Sequence, residues 1–356
     1  MMHQVFLGCG VLAICVSSVA AQLPSPVPEV AAQAVQVDRY PAHAAIFANG
    51  VKGVPGVVYW TQTGYRPLML DLYLPPKSLR RPAAGFPLVV LIHGGGWMGG
   101  DSRRIGVFVD FPGVLASLAA RGYVVASVEY RLSGEAIFPA QIQDVKAAIR
   151  FLRTKAADYG IDPARAMTWG TSAGGHLAAL AAASCGVQAL EPAQSIPASS
   201  AVVAAGPVAT ANVSDCVQGS VAWFGVFDMA TIAAQAKQDG AFSRDAADTP
   251  EWRLLGCFAS ECRNGQMAAA SPVTYVGAKT PPMLLIVGDA DKTVPYHQTL
   301  EMEQRLKAAG VAHELMVIPE ADHMLVGKTP EQTRNANLAA LEATFRFIDE
   351  TMKAAR

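Results

Sequence analysis

Apolar residues along this chain fall in short runs, Leu68–Leu74, Leu88–Ile92, Val124–Val128, Ala166–Trp169, Val221–Phe224, Met283–Val287 and Leu315–Ile318. Between the runs the hydrophobic period lengthens. Ile142, Val145, Ile149 and Leu152 recur at spacings of 3, 4 and 3, the stripe of an amphipathic helix. Leu338, Leu341, Phe345 and Ile348 repeat that spacing behind Thr329-Pro330-Glu331-Gln332, where a capping box coincides with proline at the first helical position. Continuous apolar runs alternating with helices predict the α/β class, with a mostly parallel twisted sheet covered by helices on both faces.

Three segments stand outside the alternation. Val5–Val16 is an apolar stretch followed by Ser17, Ser18 and Val19-Ala20-Ala21, which predicts a secretory signal peptide over 1–21 and a secreted or periplasmic protein, with no membrane contact once the signal is removed. A leader, rich in Pro, Ala and Val, is expected over 22–50, before a single domain over 51–356. Gly186–Ser220 is rich in Ala, Ser, Pro and Val and reads as a surface excursion. Ala234–Ala270, with Arg244 and Trp252, reads as a small cap.

The composition, 51% hydrophobic and 16% charged, is that of a chain with a sizeable core. Its 28 basic and 29 acidic residues nearly cancel, and no Lys/Arg run exceeds two residues, which removes the footprint that nucleic-acid binding needs. Of the cysteines, Cys185, Cys216, Cys257 and Cys262 follow the predicted signal. An even number in an exported chain favours disulfides, and proximity favours Cys257 with Cys262 and Cys185 with Cys216. None has C-x2-C spacing or a nearby histidine, so zinc is not expected.

The sharpest local signal is Gly170-Thr171-Ser172-Ala173-Gly174-Gly175, placed after a strand-like run and before the helix-like HLAALAAAS. Small residues around Ser172 let the backbone turn sharply and hold the hydroxyl clear of the sheet, as a nucleophile requires. Upstream, LVVLI ends in His93-Gly94-Gly95-Gly96-Trp97, and successive glycines can aim amides at one point. With the amide of Ala173, two of these would surround a developing oxyanion. His93 itself is expected to shape the loop. Downstream, MLLIV ends in Gly288-Asp289-Ala290-Asp291 and LMVI in Pro319-Glu320-Ala321-Asp322-His323. The order Ser172, an acid at 289 or 291, then His323 puts each residue past the carboxyl end of a strand, where an open α/β sheet builds its site. Of the seven histidines, only His323 has that late position, which makes it the expected base.

With these motifs in place, the chain resembles the α/β-hydrolases of the HGGG-bearing esterase/lipase group, and is similar to the secreted feruloyl-esterase-like and acetyl-ester-cleaving members. GYRPLMLDLYLP (Gly64–Pro75), VEYRL (Val128–Leu132), FPAQIQDVKAAIRFLR (Phe138–Arg153), YGIDPAR (Tyr159–Arg165) and ASPVTYV (Ala270–Val276) extend the likeness over about residues 55 to 350. The resemblance implies Ser172 as nucleophile, Asp291 as the acid ahead of Asp289 and Asp322, and His323 as base. It assigns the oxyanion donors to Gly95, Gly96 and Ala173, with Gly94 as a further candidate. Asp144 and Asp162 read as helix and turn residues. The implied reaction is cofactor-free hydrolysis of a short-chain or aromatic ester, free or linked to a polysaccharide. Trp97, Trp223 and Trp252, with Phe227 and Phe242, are candidates for the substrate pocket. Competing readings are an amide-cleaving hydrolase of the same superfamily, a catalytically silent binding protein on this scaffold, and a cell-surface protein held by a retained anchor.

Overall fold

Nine strands form one sheet in the order β1-β2-β3-β5-β4-β6-β7-β8-β9. They are β1 (Ala45–Ile46), β2 (Lys52–Trp60), β3 (Leu68–Leu74), β4 (Phe86–Ile92), β5 (Val124–Val128), β6 (Ile161–Thr171), β7 (Ser220–Trp223), β8 (Met283–Gly288) and β9 (His313–Ile318). The computed structural model describes residues 44–192 apart from 63, then 213–246, 248–258 and 261–354. The expected signal peptide, most of the expected leader and the middle of the Gly186–Ser220 excursion lie outside those residues.

From β5 to β9 the sheet is parallel, whereas β1, β2 and β3 join antiparallel at one edge. Two of these strands correct the sequence reading. Ala45 and Ile46 pair with Gly53 and Lys52, so the sheet begins inside the segment expected as a leader to residue 50. β2 carries Gly53, Pro55 and Gly56 within its span and an irregular register with β3, features confined to edges and bulges that mask a strand in the sequence.

Alternation along β4 sorts the core into two layers. Leu88, Val90 and Ile92 pack in one layer with α2 (Ala140–Thr154), α4 (Ala173–Ala183) and α8 (Tyr296–Ala308). Val89 and Leu91 point the other way, toward α1 (Phe111–Ala119) and α9 (Pro330–Ala354). α3 (Ala156–Tyr159) is a short turn ahead of β6.

Cys185 is bonded to Cys216 and Cys257 to Cys262, the pairing favoured by proximity. Beside the first pair, the buried ammonium of Lys146 reaches Glu191 at 3.1 Å and Asp215 at 3.3 Å and donates to the Ser184 carbonyl at 2.9 Å. Burial draws its pKa below the usual lysine value, and Asp215 opposes that shift. Arg150 joins the cluster through Nε to Asp215 at 2.7 Å. The base of the excursion is thus fixed by a covalent bond and an ion network together.

Candidate active site

Because β4, β6, β8 and β9 run parallel, Ile92, Thr171, Gly288 and Ile318 end at one edge of the sheet and pass their following residues into one region. Ser172 follows β6 directly, with φ +54° and ψ −122°, a conformation that a side-chain-bearing residue rarely holds. Close packing enforces it. A Cβ on Gly174 would overlap the Ile92 carbonyl, and one on Gly170 would overlap the Gly174 carbonyl. The Ser172 amide donates to the Trp223 carbonyl at 2.9 Å, and the amide of His176 returns to the Ser172 carbonyl at 3.0 Å.

His323 Nε2 stands 3.1 Å from Ser172 Oγ, and Nδ1 stands 2.8 Å from Asp291 Oδ2. A carboxylate can only accept, so the ring proton sits on Nδ1 and the Nε2 lone pair faces the serine hydroxyl. The Asp291 side chain is buried, and its other oxygen accepts the amides of Thr293 and Val294, each at 2.8 Å. The two rival acids are engaged elsewhere: Asp289 accepts the Glu320 amide at 2.6 Å, and Asp322 accepts those of Lys292 at 2.7 Å and His323 at 2.6 Å. The Phe224 ring packs edge-on against the imidazole at 4.8 Å. After His323, Met324 and Leu325 both adopt positive φ, at +61° and +58°.

Gly94, Gly95, Gly96 and Ala173 border the same cavity as Ser172 and His323. Among the described residues the amides of Gly95 and Gly96 donate to no acceptor, and Ala173 opens α4, where an amide has no partner within the helix. Gly95 has φ +108°, and a Cβ there would overlap the Gly99 carbonyl. His93 shapes the loop, as expected: its Nδ1 lies 2.7 Å from the Gly94 carbonyl and its ring stacks on Tyr130 at 4.4 Å. Tyr130 in turn donates its hydroxyl to the His93 carbonyl at 3.0 Å. Burial lowers the His93 pKa, favouring the neutral ring.

The stretch read as a cap folds as α5 (Ile232–Asp239), α6 (Pro250–Leu255) and α7 (Asn264–Ala270). Phe242, Arg244, Thr249, Pro250 and Glu251 form one wall of the cavity, whose volume is about 590 Å³. This wall is tied to the acid loop, because the Phe242 amide donates to the Lys292 carbonyl at 2.8 Å and Arg244 donates to the Thr293 carbonyl. Arg244 also donates to Glu251 Oε1 at 3.2 Å.

Of the three candidate tryptophans, Trp223 and Trp252 depart from expectation. Trp97 borders the cavity, but its indole is 1% exposed and donates to His176 Nδ1 at 3.2 Å. Trp223 points into the layer beneath α9, where its indole donates to Thr344 Oγ1 at 2.9 Å. It does not border the cavity. Trp252 is buried on the inner side of α6 and donates to the Arg244 carbonyl at 2.8 Å. An indole carries a large apolar surface and a single donor, so burial beside one carbonyl satisfies it fully. Phe227 is likewise core, whereas Phe242 is 65% exposed at the mouth, near Met98 and Met324. Tyr130, His176, Arg244 and Asn337 were not legible as site residues. Only the Gly-Gly-His spacing after Ser172 hinted at one of them.

Among the described residues, no group of three or more His, Cys, Asp or Glu is arranged to hold a metal ion, and no helix is long and apolar enough to cross a membrane.

Residues 70–306 match the BD-FAE family, and residues 265–354 match the dienelactone hydrolase family. Esterase LipQ of Mycobacterium tuberculosis is 30% identical over 265 residues, which span 73% of this chain and 55% of that protein. Esterase LipC of the same organism is 29% identical, covering 72% of this chain and 56% of its own length. The chain thus spans about half the length of these curated relatives. Among solved structures, a truncated carbohydrate esterase from gut microbiota superposes with a TM-score of 0.66 at 26% identity, covering 86% of this chain and 99% of that one. An esterase from Thermogutta terrifontis superposes with a TM-score of 0.60 at 26% identity, covering 82% and 90%.

Proposed function

The chain belongs to the BD-FAE family of α/β-hydrolases, and from that membership we propose that it is a serine carboxylic-ester hydrolase acting on short-chain or aromatic esters. The observation that carries this reading is the unbroken hydrogen-bonded series Ser172, His323, Asp291 at a cavity bordered by the free amides of Gly95 and Gly96. A purely binding role would not require that series to be poised at 3.1 Å and 2.8 Å. An amide-cleaving enzyme would use the same series, and the esterases among the relatives favour the ester.

In this mechanism His323 Nε2 takes the proton of Ser172 as Oγ attacks the ester carbonyl. The carbonyl oxygen becomes negative and is received by the amides of Gly95, Gly96 and Ala173, which need no reorganisation because no acceptor among the described residues engages them. Protonated His323 then gives its proton to the leaving alcohol. Water enters, loses a proton to the same nitrogen, and releases the acid. Asp291 holds the ring tautomer throughout and offsets the imidazolium charge, and its two backbone donors keep it from turning away.

The wall that Phe242, Arg244, Thr249, Pro250 and Glu251 build beside the cavity supports a compact acyl group over a long chain. Polysaccharide-linked acetyl or hydroxycinnamoyl groups fit this reading, and the gut carbohydrate esterase supports a sugar-borne alcohol. We read Met1–Ala21 as an export signal, a reading that the two disulfides favour, since such bonds persist in oxidising compartments.

Turnover of p-nitrophenyl acetate, methyl ferulate, acetylated xylan and p-nitroacetanilide by the wild type and Ser172→Ala tests the assignment. Ester cleavage reduced by about 10⁶-fold in a folded variant is expected. Unchanged turnover in that variant, or anilide cleavage outpacing every ester, would overturn it.

A further inference from the structure

His176 lies one helical turn past Ser172, and its side chain is completely buried. Two partners from different parts of the fold meet its ring. Trp97 Nε1 donates to Nδ1 at 3.2 Å, the two rings touching edge to face at 5.1 Å. An indole nitrogen can only donate, so Nδ1 is the bare nitrogen and Nε2 bears the proton. That proton goes to the Ala270 carbonyl at 2.7 Å. Burial supports the same neutral form by lowering the pKa to about 4.

Each partner matters to the oxyanion loop. Trp97 follows Gly95 and Gly96 directly and holds φ at +56°, a conformation that needs outside support. Its carbonyl accepts the Ser133 amide at 2.7 Å, and its indole is fixed by His176, so the residue is gripped at both ends. Ala270 is the last residue of α7, while Pro250 at the start of α6 lies so close to Gly96 that a Cβ there would stand 3.2 Å from its ring. One imidazole therefore joins the nucleophile helix, the glycine loop and the end of the cap.

We propose that His176 is a positioning residue for the oxyanion donors: its neutral ring sets Trp97, and through Trp97 the direction of the Gly95 and Gly96 amides. This rests on the ester-hydrolase reading above. Those amides work hardest in the transition state, so their misdirection reads out in kcat and not in KM.

The test combines His176→Phe, His176→Gln, Trp97→Phe and the double variant His176→Phe/Trp97→Phe, with kinetics on p-nitrophenyl acetate and nuclear magnetic resonance of the five tryptophan indoles. Each Phe variant should lose on the order of 10- to 100-fold in kcat with KM within about threefold, as misplaced oxyanion donors predict. The double variant should lose no more than the worse single one. His176→Gln, which can accept from Trp97 and donate to Ala270, should recover part of the loss, and it keeps the test valid should the Phe variant fail to fold. The indole resonance that disappears in Trp97→Phe should be displaced in His176→Phe. Additive losses, an unaltered kcat, a rise in KM alone, or an unmoved indole resonance would each overturn the proposal. A wild type that turns over no ester would instead defeat the ester-hydrolase reading, and the indole resonance would still decide whether His176 holds Trp97.

Discussion

Asn337 in α9 reaches 3.2 Å from its Nδ2 to the carbonyl of Met324, the residue that follows His323. The same amide lies 3.2 Å from the Leu325 carbonyl and 2.9 Å from that of Thr333. A buried amide on the final helix thus satisfies the carbonyls of two residues held at positive φ. Asn337→Ala should remove that support, lowering stability by about 1–3 kcal/mol through unsatisfied carbonyls. It should also lower kcat by about tenfold or more through drift of the imidazole. Urea titration and steady-state kinetics check both, and a variant with wild-type kcat would show that the turn holds itself.

Geometry singles out Asp291 among three neighbouring acids. Asp291→Asn is expected to reduce kcat by on the order of 10⁴, because an amide can present the wrong group to His323 Nδ1. Asp289→Asn should cost less than about tenfold, since that side chain only receives the Glu320 amide. Parallel kinetics on the two variants decide the matter, and a larger loss at Asp289 would reverse it.

Chain-length preference should follow Phe242 and not Trp252. Phe242→Ala opens the mouth of the cavity, so kcat/KM for octanoyl over butyryl p-nitrophenyl esters should rise several-fold. Trp252→Ala should leave that ratio unchanged while costing roughly 3–5 kcal/mol of stability, the usual toll of emptying a buried aromatic site. An unaltered profile in the Phe242 variant would remove this residue from the acyl path.

Acid should destabilise the fold in a defined window. The folded chain keeps His176 neutral down to about 4, whereas an unfolded histidine takes up its proton near 6.5. The contribution is complete above pH 6.5 and declines as pH falls toward 4, because there the unfolded state binds a proton that the folded state refuses. At about 1.4 kcal/mol per pH unit, the difference amounts to roughly 3 kcal/mol, and His93, also lowered by burial, adds in the same direction. Urea midpoints at pH 7.5 and 4.5 should separate more in the wild type than in His176→Gln. Equal separation would locate the acid sensitivity elsewhere.

The part of the molecule readable from sequence is the part that local chemistry encodes. β4 and β8 are apolar throughout because both faces are covered, and a chemical motif begins where each of these runs stops. The supporting groups lack that signature. His176 meets partners 79 and 94 residues away, and a polar residue inside an alanine-rich helix looks the same whether it faces solvent, core or loop. The tryptophans fail for a related reason: composition marks them as large, but only the helix or strand face decides whether they border a cavity or fill the core. β2 is hidden by its own glycines and proline, which an edge tolerates and a central strand would not.

The cross-link between Cys185 and Cys216 has a further meaning for how this chain can vary. Its ends are 31 positions apart in sequence, and at that junction Lys146, Glu191 and Asp215 already fix where the chain leaves and re-enters the domain. With both ends of the excursion held there, enlarging the closed loop costs only about 0.6 kcal/mol per doubling. Descendants of this protein could acquire or shed sequence there without disturbing the elbow that β6 and α4 build around Ser172. For an engineer the same junction is a grafting port, where a binding peptide or a carbohydrate-binding module could be inserted without altering the reaction centre.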